Sequence, residues 1–129
     1  MGTFKVKGGN NLSGVIIPQG AKNEALQVIS AVLLTEKIVT IDNIPNIIDV
    51  KRLIDLLDNL GVTVKKLNQN KYSFESKNID LDYLNTSDFE TKAKGLRGSI
   101  MIIGPLLSRF GKASIPVSYT HLTLPTIRE

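Results

Sequence analysis

From Ser13 to Glu75 the apolar residues change period repeatedly, and that succession confines the chain to a layered α/β arrangement. Ser13 to Ile17 is a short apolar run stopped by Pro18, which reads as a strand. Ala21 to about Thr35 puts Ala25, Val28, Ile29, Val32 and Leu33 on one helical face, with Glu24, Gln27 and Ser30 mostly on the other. Ile38-Val39-Thr40-Ile41 is brief and β-branched, and Asp42-Asn43 and Pro45 end it. The spacing predicts a second helix from about Ile48 to Leu60. Its inward stripe is Leu53, Leu56, Leu57 and Leu60, and Asp49, Lys51, Arg52, Asp55 and Asp58 face out. Gly61 stands where a helix-ending glycine belongs. Val62 to Leu67 and Lys71 to Glu75 alternate with period two around Asn68-Gln69-Asn70, a hairpin pattern.

The order is therefore strand, helix, strand, helix, strand, strand. Two strand–helix–strand crossovers predict parallel neighbours joined in the right-handed sense, with the hairpin adding an antiparallel strand. One layer of helices on one mixed sheet is the simplest packing. Ahead of this unit, Phe4-Lys5-Val6-Lys7 alternates, and Gly8-Gly9-Asn10-Asn11 supplies turn residues, so a first hairpin is expected with Ser13 to Ile17. Beyond it, Ile79 to Lys94 is acidic and Lys92-Ala93-Lys94-Gly95 reads as a loop. Ile100 to Leu107 is apolar apart from Gly104-Pro105, which predicts a buried helix kinked at Pro105 and ended by Gly111. A strand is expected around Ala113 to Pro116.

Composition narrows the functional classes. The chain has 129 residues, 42% of them hydrophobic and 22% charged, which suits a domain with a buried core. It has no cysteine, which excludes disulfides, thiolate metal sites and a cysteine catalyst within it and agrees with a cytoplasmic setting. No apolar run approaches a membrane span, and the first residues lack a secretory signal core. The net charge of +4 favours an anionic partner, yet the basic residues are scattered, with Lys51-Arg52 and Lys65-Lys66 the only adjacent pairs. A nucleic-acid footprint would gather them on one face, so small anions are the better expectation and no membrane partner is expected.

Two places carry candidate chemistry. Gly20 allows a sharp bend before the first helix, and Lys22 and Asn23 fall in its first turn. Free backbone N–H groups, the positive end of the helix dipole, an ammonium and an amide together suit phosphate or carboxylate. A plainly solvated helix start is the competing reading. Arg97 stands beside the start of the apolar helix, where the dipole disfavours a cation. It calls for a counter-anion, either a carboxylate such as Asp88 or a bound ligand. Two helix starts, each with a basic residue, could point at one anion-lined cleft.

Several of these residues together resemble a known family. They are Phe4-x-Val6-x-Gly8, Leu12-x-Gly14, Gly20-Ala21-Lys22-Asn23-x-Ala25-Leu26, Asn43-x-Pro45, Leu60-Gly61, Leu96-Arg97-x-Ser99-Ile100 and Gly104-Pro105-Leu106. In order and spacing they are similar to the start of the UDP-N-acetylglucosamine enolpyruvyl transferases, over Met1 to about Pro116. The resemblance implies transfer of enolpyruvyl from phosphoenolpyruvate to the 3-hydroxyl of UDP-N-acetylglucosamine, an early step of peptidoglycan precursor synthesis, with release of phosphate and no cofactor or metal. It implies a fold of two inside-out α/β barrel domains, of which this chain would hold one strand-helix-strand-helix-strand-strand unit and the start of the next. Residues 1–20 would be a hairpin of the other domain, and 21–116 part of the first. Lys22 matches a residue important for catalysis, Lys22 and Asn23 match contacts to phosphoenolpyruvate, and Arg97 matches an arginine of the substrate cleft.

After Pro116 the resemblance breaks. A Gly pair and a Cys or Asp general acid are expected there, and residues 117–129 contain neither. This tail resembles translated vector or adaptor sequence and is set apart from the fold. His121, the only histidine, lies in it without a partner group. The expectation is thus the first quarter of an enzyme, inactive alone and prone to self-association through uncovered apolar surface. Two other readings stand beside it. One is the related shikimate-3-phosphate enolpyruvyl transferase. The other is a small basic RNA-binding module, which would need Tyr72 and Phe74 exposed on one sheet face.

Overall fold

The computed structural model describes residues 2–113. Helix α1 spans Lys22–Ala31 and runs on into a 3-10 turn, Val32–Leu34. Strand β1, Ile38–Ile41, leads to helix α2, Ile48–Leu60, and then to strands β2, Thr63–Asn68, and β3, Lys71–Glu75. A 3-10 helix over Leu81–Asn85 precedes α3, Ser87–Lys94. A second 3-10 helix, Arg97–Ile102, passes directly into α4, Ile103–Phe110. Among the described residues no helix is long and apolar enough to cross a membrane.

Helix α2 forms because its apolar residues recur at helical spacing. Val50, Leu53, Ile54, Leu56, Leu57 and Leu60 are all buried, two more than the expected stripe. Gly61 closes it with φ 115°, and its N–H bonds back to Asp58 O. A Cβ at Gly61 would lie 2.3 Å from Asn78 O, so both the backbone angle and the close approach require glycine. On α1 the buried set is Ala25, Leu26, Ile29 and Ser30. Val28, expected inside, is 41% exposed. Ser30 turns inward because its hydroxyl donates to Leu26 O at 2.8 Å, which satisfies it without water.

The three strands stand in the order β1-β3-β2, and both pairings are antiparallel. This corrects the expectation of parallel neighbours. β1 and β2 run parallel to each other, as the crossover through α2 demands, but β3 folds back into the gap between them. Two antiparallel ladders replace one parallel pairing. Across the sheet Val39, Phe74 and Val64 stand in register and face the helices. Phe74 is fully buried and stacks on Tyr72 at 6.1 Å, while Tyr72 itself packs on the core. The pair of exposed aromatics that RNA binding needs is therefore not on this sheet.

Three further expectations are corrected. Residues 2–20 form neither helix nor strand, so the first hairpin is not formed within this unit. Phe4, Val6, Leu12, Val15, Ile16 and Ile17 are at least 87% exposed. Alternation favours a strand only where a partner edge takes up its N–H and C=O groups, and none of the described strands does so here. Lys92, Ala93 and Lys94 are helical rather than loop. Thr86 caps α3 through its hydroxyl to Phe89 N–H, and Lys94–Glu90 at 2.9 Å and Lys92–Asp88 at 3.7 Å support its exposed side. The run from Ile100 to Leu107 is only partly buried. Ile102 and Leu106 are enclosed, whereas Ile100 and Met101 are exposed. Pro105 lies in the first turn of α4, where a missing N–H costs nothing, so it starts a helix instead of kinking one. Gly111 ends α4 with φ 74°, as expected. Of the expected strand around Ala113 to Pro116, all but Ala113 lies outside the described residues, as does the tail 117–129.

Phe74 is the side chain through which the sheet meets the helices, so its loss tests this packing. Phe74→Ala should cost about 3–5 kcal/mol, a large share of the stability of any domain this size. A urea unfolding curve followed by circular dichroism would then shift its midpoint far down or lose its native baseline; an unchanged midpoint would contradict the packing.

Candidate functional site

The starts of three helical segments come together on one side of the helix layer. Lys22 is the first residue of α1, Asp49 and Arg52 lie in the opening turns of α2, and Arg97 begins the 3-10 helix Arg97–Ile102. α1, α2 and that 3-10 helix all pack against one another. Small residues permit the approach. Gly98 sits against Leu26 of α1, where a Cβ would be 3.2 Å from a Leu26 methyl carbon. Gly20 is tighter still: a Cβ there would fall 1.9 Å from Asn43 O and 3.0 Å from Pro45 Cδ. Asn43 itself has φ 56°, which turns the chain between β1 and α2 toward Gly20. The bend anticipated at Gly20 thus has a steric basis in a second segment.

Lys22 Nζ lies 2.6 Å from Asp49 Oδ2, joining the first turns of α1 and α2. The Lys22 side chain remains 45% exposed. Each charge sits differently with its helix: the α1 dipole opposes an ammonium at that end, whereas the α2 dipole favours a carboxylate. The Lys22 hydrogen bond and charge hold the Asp49 carboxyl below its ordinary range, against the opposing effect of desolvation. Arg52 and Arg97 add to the lowering. Lys22 is thus the direct partner of Asp49, and Arg52 and Arg97 act on the same carboxylate at longer range. Arg52 is steadied by a hydrogen bond from Nη1 to Gly95 O at 3.3 Å.

Of the residues singled out in the sequence, Lys22 pairs with Asp49, Arg97 acts on that carboxylate only at longer range, and Asn23 stands exposed beside Lys22 on α1. Arg97 is exposed and forms no ion pair with Asp88, the carboxylate proposed for it. Asp88 is taken instead by the Tyr83 hydroxyl and by Lys92, which also reaches Asp55 at 3.2 Å. Burial and the Asp88 carboxylate push the Tyr83 phenol up, so it stays a hydrogen-bond donor. Asp49 and Arg52 were overlooked in the sequence, where both read as solvated outward positions of α2. Their only signal is their place in the opening turns, directly after the Pro45 turn. No group of three or more His, Cys, Asp or Glu suited to a metal occurs among the described residues.

The sign of the pH effect follows from the lowered Asp49 pKa. The contribution of this pair to stability is complete above about pH 4, the ordinary aspartate value, and is lost as pH falls through the lower native value. Lys22→Ala should raise the Asp49 carboxyl titration, read by carbon NMR, toward that ordinary value. Gly20→Ala should do the same in part, because relieving its clash with Asn43 displaces the start of α1. A titration that stays put in Lys22→Ala would show that another group sets it.

A family model described as EPSP synthase (3-phosphoshikimate 1-carboxyvinyltransferase) matches residues 6–123. UDP-N-acetylglucosamine 1-carboxyvinyltransferase of Bacteroides fragilis is 54% identical over 115 residues, which is 89% of this chain and 26% of that protein. The protein of the same name from Porphyromonas gingivalis is 51% identical over 116 residues, 90% of this chain and 27% of its own length. The chain thus spans about a quarter of the length of the curated relatives it matches. Among solved structures, the enolpyruvyl transferase NikO from Streptomyces tendae superimposes with a TM-score of 0.61 at 22% identity, over 81% of this chain and 23% of that one, a likeness of fold. That fold and the match across residues 6–123 agree: the chain belongs to the EPSP synthase family of enolpyruvyl transferases.

Proposed function

We propose that the chain is the amino-terminal portion of a UDP-N-acetylglucosamine 1-carboxyvinyltransferase, and that Lys22, Asn23 and Arg97 contact its anionic substrates. The observation that carries this reading is the Lys22–Asp49 pair between the first turns of α1 and α2, with the 3-10 helix that Arg97 begins packed against both of those helices. In such a reaction the 3-hydroxyl of the sugar adds to the enolpyruvyl carbon and the bond to phosphate breaks. Lys22 would hold the carboxylate or phosphate of phosphoenolpyruvate and stabilise charge on the departing phosphate. Arg97 would hold the second anionic substrate beside it. Fixed cations lower the barrier by placing two repelling anions together and by meeting charge as it develops.

The reading has consequences for the remaining residues. The exposed apolar segment 2–20, which pairs with no strand of this unit, would form its hairpin only against another domain. A site of action in the cytoplasm goes with it. With the cleft incomplete, the chain itself turns over no substrate, and its uncovered apolar residues drive self-association at high concentration. The shikimate-3-phosphate transferase is the second reading, favoured by the description of the matching family model. The names of the relatives that share half of this chain's residues favour the UDP-sugar enzyme.

A phosphate-release assay with both substrates should stay at background. Binding of phosphoenolpyruvate and UDP-N-acetylglucosamine, followed by NMR, should weaken at least tenfold in Lys22→Ala or Arg97→Ala, the loss expected for one charged hydrogen bond of about 1.5–3 kcal/mol. Binding of shikimate-3-phosphate in preference to the UDP-sugar would move the assignment to the second reading. Wild-type affinity in both variants would remove it altogether.

A further inference from the structure

We propose that Asp49 is the positioning residue for Lys22, holding its ammonium from the start of α2 at the point where an anionic substrate docks. The inference rests on the reading of Lys22 as a substrate contact, and it adds a residue whose own charge matches that of the ligand. Left alone, Lys22 is a poor anchor. Its long side chain has many rotamers, and the dipole of its own helix repels it from the first turn. The 2.6 Å pair with Asp49 answers both problems from a separate helix.

Asp49 is well placed for this work. It follows Ile48 at the head of α2, immediately before fully buried Val50, with fully buried Leu53 one turn on. The carboxylate thus projects from a backbone fixed by the core. An ammonium carries three donors, and one carboxylate oxygen at 2.6 Å occupies one of them. With the side chain 45% exposed, the other donors are open to a phosphate or carboxylate oxygen. The negative charge of Asp49 does not close the site to anions, because the Lys22 ammonium offsets it at 2.6 Å, and Arg52 stands on the same helix one turn on. Holding Lys22 in advance removes its ordering cost from the binding step.

The test is a titration of phosphoenolpyruvate into the 129-residue chain, following the Lys22 side-chain nitrogen and the α1 amides by NMR. Lys22→Ala, Asp49→Ala, Asp49→Asn and Asp49→Glu are compared with the wild type. Asp49→Ala should weaken binding about five- to tenfold and broaden the Lys22 side-chain signal. Asp49→Glu should recover most of the affinity, because a carboxylate still reaches the ammonium. If Asp49→Ala loses its dispersed amide spectrum, isosteric Asp49→Asn replaces it and should also bind more weakly. Affinity equal to or tighter than wild type in the folded variant, or no recovery in Asp49→Glu, overturns the positioning role. With Lys22→Ala still losing binding, that result leaves the functional reading intact. Unchanged binding in Lys22→Ala, or no ligand-dependent shift at Lys22 in the wild type, overturns that reading and the inference with it.

Discussion

Burial of the α2 stripe is the constraint on which the rest of this structure depends. Its enclosed residues, from Val50 to Leu60, make it the element against which α1, α3, β2 and both later 3-10 helices pack. Burying an aliphatic side chain is worth about 1.5–3 kcal/mol, so no other element contributes as much apolar transfer. The consequence reaches beyond stability. A helix held that firmly along its length has a fixed first turn, and that turn carries Asp49 and Arg52. The core of the unit and the charge cluster at its rim are two ends of one object.

The ion pair at that rim adds little to folding. Lys22 and Asp49 are each more than a third exposed, and such pairs are weakened by water and screened by salt. Its value is geometric, since it relates two helices that meet the same core from different directions. Gly20 and Gly98 matter for the same reason. Each allows a backbone approach that a methyl group would forbid or crowd, and each lies beside a cation of the cluster. Replacing either would leave the composition of the site unchanged and alter its shape.

Much of the fold could be read in the sequence where a segment carries its own reason for its shape. β1, α2 and β3 have the expected bounds, because β-branched runs, helical periodicity and a closing glycine are local signals. Failures came where the decisive partner is remote. Nothing between Ile38 and Glu75 reveals that β3 will lie between β1 and β2, since period two describes a face and not a neighbour. Lys92-Ala93-Lys94 read as loop because three small or charged residues have no apolar period, while the Thr86 cap and the carboxylates one turn back decide the matter. Lys22 and Arg97 stood out in the sequence as candidates because a cation at a helix start is an anomaly. Asp49 was not, because a carboxylate in a first turn is ordinary and only the fold shows which ammonium it meets.

The segment before Gly20 follows the same logic in reverse. Phe4, Val6, Val15 and Ile17 keep the alternation of a strand, yet they stand almost wholly in water. Exposed single apolar residues are normal, but a sequence of them on one extended stretch carries an unmet hydrophobic demand. Gly20 is seated against Asn43 and Pro45, so the segment leaves the unit from a fixed point rather than folding back over it. The described sheet offers it no place: β3 has a partner on each side, and neither β1 nor β2 pairs with residues 2–20. A surface that satisfied this stretch would have to supply both an unpaired strand edge and an apolar face, and it would then sit next to the cations that begin two residues after Gly20. Whatever covers the segment would therefore stand beside the Lys22–Asp49 pair as well.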